Sequence, residues 1–275
     1  VPLGRLADLF GRRIFFLSGS LIFSLSSLLS VWPETESLFI ALRVVQGIGA
    51  AMVFSTGTAL LVSAYPAGER GKMLGINIAA VYTGLTAGPF IGGLLTQHLG
   101  WQAIFIVNAA LGLAAAVLAV RLEKEAPPAA AGESFDLGGS FLYAAALFAL
   151  MYGFSRLPSP CGAVLIIAGG VCFIVFIRGQ LKKRSGLINL HLFMGNRVFA
   201  FSNLAALIHY CATFAITFLL SLYLQHVKGL SPSQTGFVLV IEPLLQAVFS
   251  PLAGRLSDRY EPGIISSIGM SITVV

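Results

Sequence analysis

Charge is the scarcest commodity in this sequence. Only 10% of its 275 residues are Asp, Glu, Lys or Arg, against about 25% in ordinary soluble domains. By contrast 57% are hydrophobic, and the mean hydropathy is +0.89. A soluble chain of this composition would have to hide too much apolar surface. Cysteine is also scarce. Cys161, Cys172 and Cys211 lie in or beside apolar segments and none has C-x-x-C spacing, so neither a disulfide framework nor a zinc site is implied. There is no Walker loop, no G-x-S-x-G and no His/Glu metal spacing, which leaves no signature of soluble-type catalysis and none of ATP-driven pumping within this stretch. The net charge of +6 does not indicate a nucleic-acid partner, because membrane proteins collect Lys and Arg in their cytoplasmic loops.

What is present instead is a series of apolar runs of about 18–25 residues, each long enough to cross a bilayer as a helix. Eight complete spans are predicted, at roughly 14–32, 38–62, 74–95, 102–121, 137–155, 161–178, 198–224 and 235–253. The fold class is therefore an all-α, polytopic transmembrane bundle. Most turns are short. The two longer connections run over 121–136, with Pro127-Pro128 and an alanine tract, and over 178–197, with Lys182-Lys183-Arg184. Residue 1 enters at the tail of one apolar run and Val275 stops inside another, so an internal piece of a longer membrane protein is expected. Alternation of sides tests the count. Fourteen of the 17 basic residues fall on the side that holds residues 4–13, Arg156 and Lys228 fall on the other, and Arg43 lies inside a span. That asymmetry places the basic side in the cytoplasm.

One short pattern occurs twice. Gly4-Arg5-Leu6-Ala7-Asp8 returns as Gly254-Arg255-Leu256-Ser257-Asp258, each copy following a proline, Pro2 or Pro251. Both are read as cytoplasmic loops, and together they suggest two related halves. Gly4 and Gly11 allow a tight turn. Asp8 can cap a helix N-terminus or face a helix dipole. Arg12 and Arg13 can pair with carboxylates, or serve only as positive-inside residues. In the second copy, Gly254 and Asp258 are kept with Arg259, but Tyr260-Glu261-Pro262-Gly263 departs from the Gly-Arg-Arg of the first. The second copy is thus the less complete of the two.

Several residues within the spans are chemically unusual. Arg43 lies inside an apolar helix, where a guanidinium is costly and is by default functional, unless it reaches the outer headgroups. Gln46 and Gly47 share its face. Gly84, Gly88 and Gly92 recur every fourth residue, beside Gly75, Pro89 and Gly93. Such a face permits close helix packing, and Pro89 bends the helix. Glu242 is an acid at membrane depth, with Gln246 one turn on. It can carry a proton or meet a cationic substrate, or sit protonated as a packing residue. His209 and Asn108 are weaker cavity candidates. Trp101 also fits an interfacial aromatic belt.

These patterns carry a family resemblance. Gly4-x-Leu6-Ala7-Asp8-x-x-Gly11-Arg12-Arg13 resembles the signature between helices 2 and 3 of the major facilitator superfamily; the resemblance implies a cytoplasmic gate that latches the two halves, with Gly4, Asp8, Gly11, Arg12 and Arg13 doing more of the gating than Gly254, Asp258 and Arg259. Arg43-x-x-Gln46-Gly47-x-Gly49 resembles its fourth-helix signature, in which the arginine is tied to proton coupling. The array running from Gly75 through Gly84, Gly88-Pro89 and Gly92-Gly93 resembles the fifth-helix signature of its antiporters. Gly100-Trp101-x-x-Ile104-Phe105-x-x-Asn108 resembles a stretch common in its drug exporters.

Eight spans rather than six separate the repeated loops, which resembles the fourteen-helix drug:proton antiporters, with 137–155 and 161–178 as the two inserted helices. The resemblance implies an N-terminal half at 1–121, linkers and inserted helices at 122–197, and the start of a C-terminal half at 198–275. It implies proton-driven export of lipophilic or cationic compounds, hence drug resistance, by alternating access. The proton is the coupling ion, no cofactor is needed, and the complete protein is a monomer in the cell membrane. Arg43, Gln46 and Glu242 are the expected proton-coupling residues. The rival readings are an uptake symporter or uniporter for sugars or organic anions, and a non-transporting membrane sensor.

Overall fold

The structure is a computed structural model that describes residues 1–121, 134–183, 186–188 and 190–274. The expectations attached to Lys124, Pro127, Pro128, Arg184 and Val275 lie outside the described residues. Those residues form helices and no strand, as backbone in hydrocarbon requires, since a helix satisfies its own N–H and C=O groups. In order they are α1 (Pro2–Phe10), α2 (Arg12–Leu29), α3 (Glu36–Ala64), a 3-10 turn at Ala67–Glu69, α4 (Arg70–Leu99), α5 (Gln102–Val120), α6 (Leu137–Ser155), α7 (Pro160–Lys182), the short α8 (His191–Gly195), α9 (Arg197–Leu222), a π turn at Tyr223–Val227, α10 (Pro232–Leu239), α11 (Ile241–Ser257) and α12 (Pro262–Val274). Eight stretches are long and apolar enough to cross a membrane, from Arg12–Leu29 to Gln234–Ser257. They match the eight expected spans in number and order.

Local chemistry sets the ends. The Thr35 hydroxyl accepts from Leu38 N–H, Asp136 from Gly139 and Ser159 from Gly162, while Ser231 and Gln234 close a reciprocal capping box on α10. Gly11 at φ 107° separates α1 from α2, and Gly100 at φ 84° ends α4. Both are conformations a side chain resists. The last span is broken at Val240. Pro243 has no N–H for the Leu239 carbonyl and its ring crowds that carbonyl, so the hydrogen-bond ladder is interrupted there, two residues before Glu242, while Val240 keeps helical dihedrals.

The polarity of a soluble protein is inverted. Large apolar residues such as Phe54, Phe141, Phe148 and Phe214 are exposed, whereas the buried set is rich in Ser20, Ser24, Ser26, Ser27, Ser30, Ala103, Ala116, Ala119 and Ala146. Lipid-facing surface gains nothing by hiding its apolar groups, so small residues that let backbones approach occupy the interior.

The described residues sort into two compact units. The first contains Val1–Ile14, α6, α7, α8 and α9 as far as Leu204. In it α6 and α7 form an antiparallel hairpin. A Cβ on Gly153 would lie 3.0 Å from the Gly162 carbonyl, and one on Gly169 2.9 Å from the Leu150 nitrogen. At the far end the Asp136 carboxylate accepts from Gln180 Nε2 and Lys183 Nζ, each at 2.7 Å. The second unit contains α2 from Phe15, α3, α4, α5, α9 from Ala205, α10, α11 and α12. There α2 and α3 close on each other at Gly19 and Gly49, α5 meets α2 at Gly112, and α4 crosses α11.

The repeated pentapeptide is not a loop. Gly4 to Asp8 lie within α1, and Gly254 to Ser257 form the last turn of α11, with Asp258 as its C-cap. Arg, Leu and Ala are good helix formers. The turns come afterwards, at Gly11 in the first copy and after Asp258 in the second.

Candidate functional site

Three clusters of the predicted residues assemble. The first is the crossing of α4 and α11 in the second unit. α4 begins at Arg70 and receives no side-chain cap from its own N-cap residue, Glu69. Asp258 supplies one from α11. Its Oδ1 accepts from Gly71 N–H and its Oδ2 from Lys72 N–H, each at 2.7 Å. Both oxygens thus meet orphan donors at the positive end of a helix dipole. The approach is possible because the crossing is lined with glycine. A Cβ on Gly75 would lie 2.5 Å from the Ser250 carbonyl and 3.1 Å from Pro251 Cα, and one on Gly71 2.6 Å from the Gly254 carbonyl. Arg259 is exposed.

The first copy is arranged differently. Asp8 pairs with Arg12 one turn later, at 2.7 Å, in the first unit. Gly4 and Arg13 are half-buried beside them. Asp258 thus bonds to another helix, because it ends its own helix beside the α4 N-terminus, while Asp8 pairs within one turn of its own segment.

The glycine array divides along α4. Gly75 is buried in the α11 crossing, but a Cβ at Gly84, Gly88, Gly92 or Gly93 would meet nothing within 4 Å. Pro89 is exposed. The close packing expected of the Gly84, Gly88 and Gly92 face is not made among the described residues. The backbone-to-backbone approach of α11 to α4 is tight at Gly71 and Gly75.

The second cluster surrounds Arg43. Its guanidinium donates to Gln46 Oε1 and lies 5.6 Å from the centre of the Phe105 ring. Phe105 packs edge-on to Phe39 and Trp101, at 5.8 Å each. Burial falls on a different residue than expected: Arg43 is exposed, and Gln46 is 3% exposed. A neutral amide is far cheaper to bury than a guanidinium. Gln46 Nε2 in turn donates to Ser27 Oγ at 2.5 Å.

The third cluster is Glu242. Gln246 Nε2 lies 3.3 Å from its Oε1, and Thr217 Oγ1 on α9 lies 3.2 Å from its Oε2. Thr217 also reaches the Thr213 carbonyl at 2.9 Å. One hydroxyl proton cannot serve both oxygens. If Glu242 is protonated it donates to Thr217, which donates to Thr213. If Glu242 is ionised it takes the hydroxyl proton itself. Asn108 and His209 join none of these clusters; His209 is exposed beside Tyr210. Among the described residues no three His, Cys, Asp or Glu side chains are grouped to hold a metal.

Sequence reasoning missed Ser27, Thr217 and Gly71. Each lies outside the motifs and gains its role from a neighbouring helix. A faint signal existed for Ser27 in the spacing of Ser20, Ser24 and Ser27 along one face of α2.

Comparison with known proteins gives a consistent answer. The Major Facilitator Superfamily model matches residues 1–275. The chain is 32% identical to a riboflavin transporter of Clostridioides difficile, over 94% of this chain and 56% of that protein. It is 30% identical to a tetracenomycin C resistance and export protein of Streptomyces glaucescens, over 99% of this chain and 52% of that protein. It is likewise 30% identical to a methylenomycin A resistance protein of Bacillus subtilis, over 99% of this chain and 59% of that protein. The chain thus spans about half the length of the curated relatives it matches.

Proposed function

Because the chain belongs to the major facilitator superfamily and is a multi-pass cell-membrane protein, we propose that it carries much of a proton-driven antiporter that exports lipophilic or cationic compounds. The observation that carries the reading is the α4–α11 crossing. A helix with the antiporter glycine array is pinned at one end by the Asp258 carboxylate and is open along the rest of that array. Such a contact can be made in one conformation and broken in another.

The mechanism follows from the three clusters. Asp258 holds the cytoplasmic ends of α4 and α11 together while the carrier faces outward. Glu242 takes a proton and passes the Thr217 hydroxyl from its own oxygen to the Thr213 carbonyl, which biases the packing of α9 on α11. Arg43 is steadied by Gln46 and Phe105 and takes part in the proton coupling. Substrate enters a cavity between two pseudo-repeat halves, drawn from 1–121 and 198–275, with 137–155 and 161–178 inserted between them. The complete protein works as a monomer, with protons, the bilayer and a small substrate as its partners. The relatives named for resistance and export support the direction of transport.

In everted vesicles containing the intact protein, addition of a lipophilic cation such as ethidium should release protons, and Glu242→Gln should abolish the release. Undiminished release in that variant would remove Glu242 from the mechanism. The riboflavin transporter among the relatives favours a second reading, uptake of a small metabolite. Accumulation of riboflavin by cells expressing the protein, with no proton release on drug addition, would select it.

A further inference from the structure

We infer that Ser27, which lies in none of the recognised motifs, is a positioning residue that sets the orientation of Arg43 through the Gln46 amide. The inference rests on the antiporter reading only in what Arg43 is for; the geometry stands by itself. Arg43 carries donors alone, so the amide oxygen of Gln46 must face it. That choice turns the amide nitrogen toward α2, where it meets Ser27 Oγ at 2.5 Å. Ser27 must then accept, and its own proton goes to the Phe23 carbonyl at 2.6 Å. Every link has one sense, from Arg43 to Gln46 to Ser27 to Phe23.

Reversing the amide would set its NH2 against the guanidinium and its oxygen against Ser27. The inner end of the chain is sealed, since Ser27 is 0% exposed and Gln46 3%, and water cannot replace the link between them.

Two further features mark Ser27 out. The other buried serines of α2 with a bonded hydroxyl, Ser24 and Ser26, donate to carbonyls of their own helix. Ser27 does so and also receives a bond from α3. Its reach depends on the close approach at Gly49, where a Cβ would lie 2.7 Å from the Phe23 nitrogen. A residue selected only to pack would not need a hydroxyl there. A residue that locks the amide needs one acceptor and one donor, and a hydroxyl is the smallest group that supplies both.

The test uses the intact protein in lipid, with Ser27→Ala, Ser27→Thr and Gln46→Leu. Modification of Arg43 by phenylglyoxal is followed by mass spectrometry of the labelled peptide. Ser27→Ala should speed labelling about three- to tenfold, the factor that one net hydrogen bond is worth, and Ser27→Thr should restore protection. Gln46→Leu removes the amide that links Ser27 to Arg43, so adding Ser27→Ala to it should change nothing. Equal labelling in Ser27→Ala and wild type, or an additive effect on top of Gln46→Leu, overturns the inference.

In parallel, ethidium-driven proton release should fall in turnover with KM held in Ser27→Ala, and the same change in an Arg43→Ala background should have no further effect. A loss of equal size in both backgrounds means that Ser27 acts on packing, and overturns the inference too. If the wild type releases no protons, the antiporter reading fails while the labelling arm still decides the role of Ser27.

Discussion

The bond between Asp258 and α4 allows a quantitative prediction. Asp258→Ala removes two acceptors from backbone N–H groups at 2.7 Å, and no side chain of α4's own N-cap residue replaces them. Loss of a helix cap costs about 0.5–2 kcal/mol, and loss of a negative charge at a helix N-terminus about 0.3–1 kcal/mol. The two contributions overlap at Asp258, so about 2 kcal/mol is expected, which is roughly 30-fold in an equilibrium constant. The balance between packed and separated α4 and α11 ends should move by that factor. Asp258→Asn keeps one acceptor oxygen and presents an NH2 group where the second N–H points, so it should lose most of the effect.

Spin labels on cysteines at Arg70 and Arg255, both exposed, would report the separation by pulsed dipolar spectroscopy, with Cys161, Cys172 and Cys211 replaced. Wild type should give one short, narrow distance, and Asp258→Ala a broad or longer distribution with a lower melting temperature. An unchanged distribution with unchanged melting would refute the argument that this carboxylate pins the two helices.

Further outcomes follow from the same contacts. In this chain Gly75→Ala should destabilise by about 1–3 kcal/mol through overpacking, because its methyl would meet the Ser250 carbonyl at 2.5 Å. Gly84→Ala, with open space around it, should be neutral or stabilising by up to about 1 kcal/mol; thermal melting in detergent separates the two. Burial pushes the Asp136 carboxyl up, but the bonds from Lys183, Gly139 and Gln180 outweigh it, and the group sits below its ordinary value. Its stabilisation of the α6–α7 hairpin should be fully present above the unfolded carboxylate range near pH 4 and lost as pH falls through the lower folded value. Asp136→Asn should flatten that acid-side decline in a pH series of unfolding measurements.

Much of this was legible in the primary structure, and the reasons are local. The eight spans follow from runs of apolar residues, since lipid leaves helices as the way to satisfy that much backbone. Breaks at Gly11 and Gly100 follow from glycine. Arg43 and Gln46 sit three residues apart on one helix, so their bond was readable, as was that between Glu242 and Gln246 four residues apart. The break at Val240 was carried by Pro243 but lies inside a continuous apolar run, and hydropathy alone passes over it.

What the sequence by itself determined is the all-helical membrane fold, the number and order of its spans and the residue types that resist burial in lipid. Tertiary structure decided which of those residues work together. Asp8 and Asp258 sit in nearly identical pentapeptides, yet one pairs with Arg12 on its own chain turn and the other caps a helix nearly 190 residues away in sequence. One glycine array is tight at Gly75 and open at Gly84. The physical reason is that a local pattern fixes only a helix and its faces, whereas an orphan N–H, a guanidinium or a missing Cβ acquires its meaning from whatever the fold sets against it.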